Sequence, residues 1–348
     1  MKVLFIVKEL KNSHEYLFTL KKALIEDGIE VKYNVDDFWN HYQNYDIIHI
    51  HWPELLAKEK LDEKQYLKII NHFSLVKQFS KIISTCHNLE PHFSNNKYKN
   101  FLYKYVYSNC DAIIHLGKYS FEYMKNEYPH IKQYIISHHI YDNLYDYSLD
   151  KSVVRKQLKI PVDANVMLCF GSFRDDGERN LVLKAWRKVN IQNKYLLAPG
   201  FCYLRRNFIL GYKQTIKAIY YKLTGIHFNN RLIPDNLVST YLCASDIVMI
   251  QRVKALNSGN LPLGFHAKKV VVGPDIGNMS DILQKTKNPI FDPNDISSVA
   301  KAIQEGFRLK DTDLPQKNYD YAIGNWNISQ IARKHLEVYQ NLLIDDHQ

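Results

Sequence analysis

The sequence predicts an α/β protein made of two doubly wound, Rossmann-like domains, and three observations carry that reading. The chain has 348 residues, about two domains at roughly 150 residues each. Short apolar runs alternate with helical stretches along its length, which is the pattern of right-handed crossovers in a parallel sheet. The alternation breaks once, in the polar stretch around Tyr141–Val162, and then resumes. Two series of strand–helix units mean two sheets, with the first domain at 1–150, the second at 151–325 and a last helical segment at 326–348.

In the first series the predicted strands are Lys2–Val7, Glu30–Val35, Asp46–His51, Ile82–Cys86, Ala112–Leu116 and Tyr134–Ser137. Helices such as Tyr16–Glu26 and Asn100–Asn109 lie between them. The opening MKVLFIV is too short for the core of a signal peptide and runs straight into KELKNSHEY, so it reads as the first strand. The second series offers Val166–Phe170, Tyr195–Ala198, Ile226–Asn229, Ile247–Ile250, Val270–Val272 and Pro289–Phe291, with helices such as Leu181–Val189 and Ile296–Phe307.

A hydrophobic fraction of 46% and a charged fraction of 24% are ordinary for a globular protein and exclude a disordered, collagen-like or coiled-coil chain. No window approaches 18 uninterrupted apolar residues, so no transmembrane span is expected. The five cysteines, Cys86, Cys110, Cys169, Cys202 and Cys243, lack the paired spacing of a disulfide framework or a zinc site. The expected location is the cytoplasm.

The net charge of +10 is unevenly placed. Residues 1–150 carry 18 Lys, no Arg and 19 acidic residues, and residues 226–348 balance at 13 of each sign. Residues 151–225 hold 15 basic and 4 acidic residues, and no Asp or Glu occurs between Glu178 and Asp235. A localised positive field attracts phosphate, whether on a nucleotide, a nucleic acid or an anionic lipid.

In open parallel sheets ligands bind beyond the carboxyl ends of the strands. After the third strand comes His49-Ile50-His51-Trp52-Pro53-Glu54, and after the fourth Thr85-Cys86-His87-Asn88-Leu89-Glu90-Pro91-His92. Histidine titrates near neutral pH and suits general acid/base work or the orientation of a sugar hydroxyl. His87 and His92 have no carboxylate at helical spacing, so no metal site is expected.

In the second series, strand Val166–Phe170 runs into Gly171-Ser172-Phe173-Arg174-Asp175-Asp176-Gly177-Glu178-Arg179, followed by a helical pattern. Glycine permits a close turn, and a helix start with nearby arginines can cradle a diphosphate. The strand ending at Ile250 leads into Gln251-Arg252-Val253-Lys254-Ala255-Leu256-Asn257-Ser258-Gly259-Asn260. These small polar groups suit the distal phosphate and sugar of a nucleotide donor. Strand Val270–Val272 ends in Gly273-Pro274-Asp275-Ile276-Gly277-Asn278, another polar loop at the same sheet edge.

The stretch Tyr203–Leu223 interleaves aromatic and apolar residues with Arg205, Arg206, Lys213 and Lys217. It suits either an anionic membrane surface or a solvated helix face. No helix-turn-helix, RNP-type strand or zinc knuckle is present, so no nucleic-acid partner is expected.

These motifs together resemble the GT-B glycosyltransferases of the broad bacterial group around family 4, over nearly the whole chain. The resemblance is carried by GSFR…ERNL, RLIPDNLVSTYLCASDIVMI, LNSGNLPLGF and KKVVVGPDIGN. It implies two Rossmann-like domains facing each other across a cleft, the first for acceptor and the second for a nucleotide-sugar. It also implies a final helix, about Asn327–Leu343, crossing back to the first domain. Arg174 and Arg179 look like the basic pair that holds the donor diphosphate. Gly171, Arg252, Asn257, Ser258, Gly259, Asn260, Asp275 and Gly277 complete the donor-binding set, and Trp52, Asn88 and His92 are the acceptor-binding candidates.

His87 resembles the first-domain histidine that often lies near the sugar. Retaining members of family 4 typically carry two glutamates seven residues apart in the region that corresponds to Asn257–Phe265, and this chain has none there. Retention and inversion therefore both stay open, and His87, His51 and Glu54 are the candidates for a general base.

The expected activity is metal-independent transfer of a hexose or N-acetylhexosamine from a UDP- or GDP-linked donor, with no cofactor. The expected acceptor is a lipid-linked oligosaccharide of bacterial capsule, O-antigen or exopolysaccharide synthesis, at the inner face of the membrane. Two alternatives remain: a nucleotide-sugar epimerase or hydrolase of the same fold, and a non-catalytic scaffold on membrane or nucleic acid.

Overall fold

A computed structural model describes residues 1–7, 15–57, 59–91, 96–142, 144–201, 219, 226–227 and 233–344. The chain divides into two units, Met1–His139 together with the stretch from Asn325, and Ile140–Gly324.

The first unit holds β1 (Lys2–Phe5), α1 (Glu15–Glu26), β2 (Glu30–Tyr33), α2 (Val35–Asn40), β3 (Ile47–Ile50) and α3 (Glu63–Val76). β4 (Lys81–Cys86), α4 (Lys97–Asn109), β5 (Ala112–His115), α5 (Lys118–Glu127) and β6 (Lys132–Ile135) follow. All six strands pair in parallel, in the order β2-β1-β3-β4-β5-β6. Helices cover the sheet, so β3 (IIHI) and β5 (AIIH) are buried along their full length. Strands buried on both faces read as continuous apolar runs, which is why their positions were predictable. β6 begins earlier than the predicted Tyr134–Ser137, because none of the residues of this edge strand is fully buried and the apolar run marks only its end.

The second unit holds α6 (Lys151–Gln157), β7 (Asn165–Leu168), α7 (Asp176–Lys188), β8 (Lys194–Leu197), β9 (Ile226–His227) and α8 (Val238–Ala244). β10 (Ile247–Met249), α9 (Asn260–His266), β11 (Val270–Pro274), α10 (Gly277–Lys285), β12 (Ile290–Phe291), α11 (Ile296–Leu309) and α12 (Leu314–Trp326) follow. Its parallel sheet runs β12-β11-β10-β7-β8-β9. Asp246 ties the unit together. It accepts hydrogen bonds from Arg155 Nη2 at 2.8 Å, from the Val166 amide at 2.7 Å and from Lys151. The segment 140–150, expected with the first domain, belongs to the second unit, where the Tyr147 ring meets His266 edge-on at 5.0 Å.

The last helix, α13 (Ile328–Ile344), belongs to the first unit. Ile331, Ala332, Val338, Tyr339 and Leu342 are buried in one apolar cluster with Val3, Phe5, Leu17 and Leu24. Burial of a large aliphatic side chain is worth roughly 1.5–3 kcal/mol, so the helix is a substantial part of that core.

Strand order positions the sites. In each sheet the order reverses at one point, between β1 and β3 in the first and between β7 and β10 in the second. Loops leaving adjacent strands in opposite directions open a crevice there, beyond the carboxyl ends.

Candidate active site

In the first unit the loops after β3 and β4 deliver a cluster of imidazoles and aromatic rings. His51 leaves the end of β3 and His87 the end of β4. His51 Nδ1 and His87 Nε2 are hydrogen-bonded at 3.1 Å, so one nitrogen of the pair carries the proton and the other accepts it. Trp52 stacks on His87 with centroids 4.6 Å apart and planes 18° apart, and Tyr16 of α1 meets His87 edge-on at 5.1 Å. The ring of His87 is thus held on two sides.

His49, one pleat behind His51, is fully buried. Its Nδ1 lies 2.7 Å from the Tyr339 hydroxyl and its Nε2 2.7 Å from Thr85 Oγ1. Burial, with smaller effects of His335 and His87, pushes its pKa well below the usual histidine value. A neutral ring with both nitrogens occupied is a positioning group, and it stacks 4.2 Å under His51.

Glu54 sits on the short turn Pro53–Leu56 and accepts a hydrogen bond from the Tyr103 hydroxyl at 2.7 Å. Asn88 is buried, and its carbonyl accepts from the Tyr107 hydroxyl at 2.7 Å. The structure therefore brings His51, His87 and Trp52 into direct contact and holds Glu54 through Tyr103. Among the described residues no three His, Cys, Asp or Glu side chains converge as a metal centre requires. His92 lies outside the described residues, as do Arg205, Arg206, Lys213 and Lys217.

In the second unit the loops after β7 and β10 meet at Glu178. This carboxylate is buried in the first turn of α7, which Asp175 caps by accepting from the Glu178 amide at 2.9 Å. Glu178 Oε2 accepts from the Arg174 amide at 2.8 Å and from Arg252 Nη1 at 2.7 Å, while Arg252 also donates to the Ser172 carbonyl at 2.9 Å. Arg174 Nη1 donates to the Lys254 carbonyl at 3.1 Å. Burial and then the nearby Arg252 cation push the Arg174 pKa below its usual value. Two neighbouring guanidinium groups thus stand beside one buried carboxylate that bonds Arg252 through its side chain and Arg174 through its backbone amide, an arrangement open to an added anion.

The cation that acts on Arg174 is Arg252. Arg179 is bound to Asp176 at 3.0 Å and reaches the carbonyls of Phe173 and Phe201 at 3.3 and 3.5 Å. It closes the local turn.

Gly171 has φ +82°, and a Cβ on Gly200 would fall 2.2 Å from the Gly171 carbonyl oxygen. Glycine at both positions lets the β7 loop run beside Gly200, where Ser172 and Gly200 form an isolated parallel bridge. The loops after β10 and β11 are likewise locked together. Asn278 Nδ2 donates to Asn257 Oδ1 at 2.8 Å, and the Asn278 amide to the Leu256 carbonyl at 2.9 Å. Gly277, at φ +57°, leaves no room for a Cβ beside Leu256.

Asn260 Nδ2 donates to the Phe170 carbonyl at 2.8 Å, and the Asn260 amide to Ser258 Oγ at 3.3 Å. Gly259 begins the turn into α9, close to the Tyr141 hydroxyl. Asp275 is exposed and engaged by Ser280 and Gln284 of α10, the helix that follows it.

Glu178, His49 and Gln251 stand in the loop motifs but were not singled out as candidate site residues, and Tyr16 was read only as the start of a helix. Glu178 resembles an ordinary first-turn acid, though its place three residues after Asp175 was a capping signal. Gln251 is fully buried beside Arg252, and its Oε1 has no hydrogen-bond partner among the described residues.

No protein-family model matches the chain, and no curated protein matches it. Solved structures do. Sucrose-phosphate synthase from Thermosynechococcus elongatus superposes with a TM-score of 0.75 at 16% identity, over 99% of both chains. Anabaena HepE in complex with UDP and glucose gives 0.71 at 13% identity, over 98% of this chain and 100% of that one. A glycosyltransferase from Rickettsia africae gives 0.68 at 15% identity, over 98% of each. The chain therefore has the GT-B glycosyltransferase fold.

Proposed function

We propose that the chain is a glycosyltransferase that moves a hexose or N-acetylhexosamine from a UDP- or GDP-linked donor to a saccharide acceptor. The observation that carries this reading is the proximity of the Arg174 and Arg252 guanidinium groups at the switch point of the second sheet, with Glu178 bonding the Arg252 side chain and the Arg174 amide. A nucleotide diphosphate placed there neutralises two neighbouring guanidinium groups and, as the glycosidic bond breaks, meets charge already in place. The loop from Asn257 to Asn260, tied to Asn278, lies at the same sheet edge and is assigned to the sugar. The HepE structure, which holds UDP and glucose on the same fold, supports the donor class.

The acceptor is assigned to the first unit. Of the hydrogen-bonded His51 and His87, one nitrogen can take a proton from an acceptor hydroxyl while Trp52 keeps the His87 ring in place. We assign a lipid-linked oligosaccharide as acceptor, at an anionic membrane surface; the support is the excess of basic residues in 151–225. A donor held by leaving-group stabilisation through arginines asks for no metal or cofactor.

The test is titration with UDP, GDP and their common sugar conjugates, on the wild type and on Arg174→Ala. One base should bind selectively, and the substitution should weaken it about tenfold or more, since hydrogen bonds to charged groups are worth roughly 1.5–3 kcal/mol. Unchanged affinity defeats the assignment. Donor turnover without acceptor, at the rate seen with one, identifies a hydrolase or epimerase instead.

A further inference from the structure

The first unit carries a second concavity, a pocket of about 280 Å³ between α4 and α5, bounded by Leu89, Glu90 and Pro91. Tyrosines 103, 107 and 128 line it and are buried, with their hydroxyls bound to Glu54, the Asn88 carbonyl and Glu127. They offer ring surface and no free hydroxyl. Phe101 and Tyr123 also line it and remain 46% and 55% exposed. Its polar positions, Glu90, Asn100, Lys104 and Glu127, are all exposed.

We propose that this pocket binds a sugar ring of the acceptor, away from the reacting hydroxyl; the proposal rests on the glycosyl-transfer reading. A pyranose combines an apolar C–H face with a hydroxyl edge, and the pocket combines exposed aromatic faces with hydrogen-bonding groups around them. Small-molecule sites have this make-up, mostly apolar walls with a few placed polar groups, at volumes of roughly 300–1,000 Å³. This one is at the small end, which suits one ring or two.

Two carboxylates against one ammonium disfavour a phosphate or nucleotide, and the polar positions disfavour an acyl chain. Exposed aromatic rings that flank a concavity are also the kind of apolar surface that marks a binding site. The pocket is connected to the candidate catalytic groups. Leu89–Pro91 continue directly from His87-Asn88, and Tyr103 both lines the pocket and holds Glu54. A glycan seated there is anchored on the same chain segment that presents His87.

The experiment is saturation-transfer NMR on the full chain with methyl glycosides of glucose, galactose, mannose and N-acetylglucosamine, comparing the wild type with Tyr123→Ala and Phe101→Ala. Thermal shifts with UDP and GDP are read on the same samples. At least one glycoside should receive saturation from the wild type, and the effect should fall about fivefold or more in each variant while the nucleotide shift persists. Tyr123 is largely exposed, so its variant keeps the test valid where Phe101→Ala affects folding. No transfer to any glycoside, or transfer that survives both substitutions, overturns the pocket assignment. A wild type that gives no shift with either nucleotide overturns the donor reading instead.

Discussion

Arg252 reaches Glu178 across the switch point of the second sheet, with Nη1 2.7 Å from a carboxylate that is itself buried in the first turn of α7. The contact joins loops that are 74 residues apart in the chain. It orients Arg252 and, through the Arg174 amide, also fixes the turn that carries Arg174.

Glu178→Gln should therefore act twice. Breaking a buried ion pair from one side typically costs roughly 3–5 kcal/mol, and a denaturant titration should show a loss of that order. Under the proposed function the same variant should bind nucleotide at least tenfold more weakly, because the Arg252 guanidinium and the turn that carries Arg174 lose their common anchor. Unaltered stability and affinity together would show that the carboxylate anchors neither.

His87→Phe keeps a ring to stack on Trp52 and removes both nitrogens. Under the proposed chemistry kcat for transfer should fall about 10²- to 10⁴-fold, the usual worth of a positioned acid or base, with nucleotide affinity unchanged. A comparable drop in donor affinity would mean that the ring does something other than proton transfer.

Acid should destabilise the first unit before it affects surface carboxylates. Burial lowers His115 and His335 to about 4 and His49 well below its usual value. Their folded pKa values lie below the unfolded value near 6.5, so the unfolded chain binds more protons between the two. Stability is complete above about pH 6.5 and declines toward pH 4, at roughly 1.4 kcal/mol per pKa unit for each group. Thermal melts across pH 7.5 to 4.5 should show a monotonic fall. A melting temperature that is flat over that window contradicts the neutral, buried assignment.

Gly200→Ala should cost more than a surface substitution, because the new Cβ would fall 2.2 Å from the Gly171 carbonyl oxygen and 2.9 Å from the Ser172 Cα. The obstructing atoms are backbone, which cannot swing aside as a side chain can, so a loss of about 1–3 kcal/mol is expected, the range for overpacking. Nucleotide binding should weaken with it, since Ser172 also supports Arg252. The equivalent change at Gly324, which lies in α12 with open space around it, serves as the control and should be neutral to stabilising, by up to about 1 kcal/mol.

How much of this was legible depends on what each residue shows locally. Strands such as Ile47–Ile50 and Val270–Pro274 are buried throughout and announce themselves as apolar runs. The loops at their ends were legible for the same reason, so His51, His87, Arg174 and Arg252 could be singled out as candidates. Strand order left no such mark. It decides that β7 lies beside β10, and hence that Arg174 is near Arg252 while Arg179 closes a turn. Glu178 was missed because its burial arises from a partner far along the chain, and His49 because a histidine inside an apolar strand shows nothing of the Tyr339 hydroxyl it meets. The flank pocket between α4 and α5 arises from two helices whose faces the sequence does not align.

The placement of α13 has a consequence for synthesis. Its buried face completes the core around β1 and α1, yet it is translated only after the whole of the Ile140–Gly324 unit. At roughly 5–20 residues per second, the ribosome takes on the order of 10–40 s to make that unit. Throughout this interval the first sheet waits with an apolar face uncovered and His49 without its tyrosine. The second unit can fold as it emerges, so the order of folding runs against the order of the chain. The nascent chain is therefore most open to chaperones, and to aggregation, in the first unit.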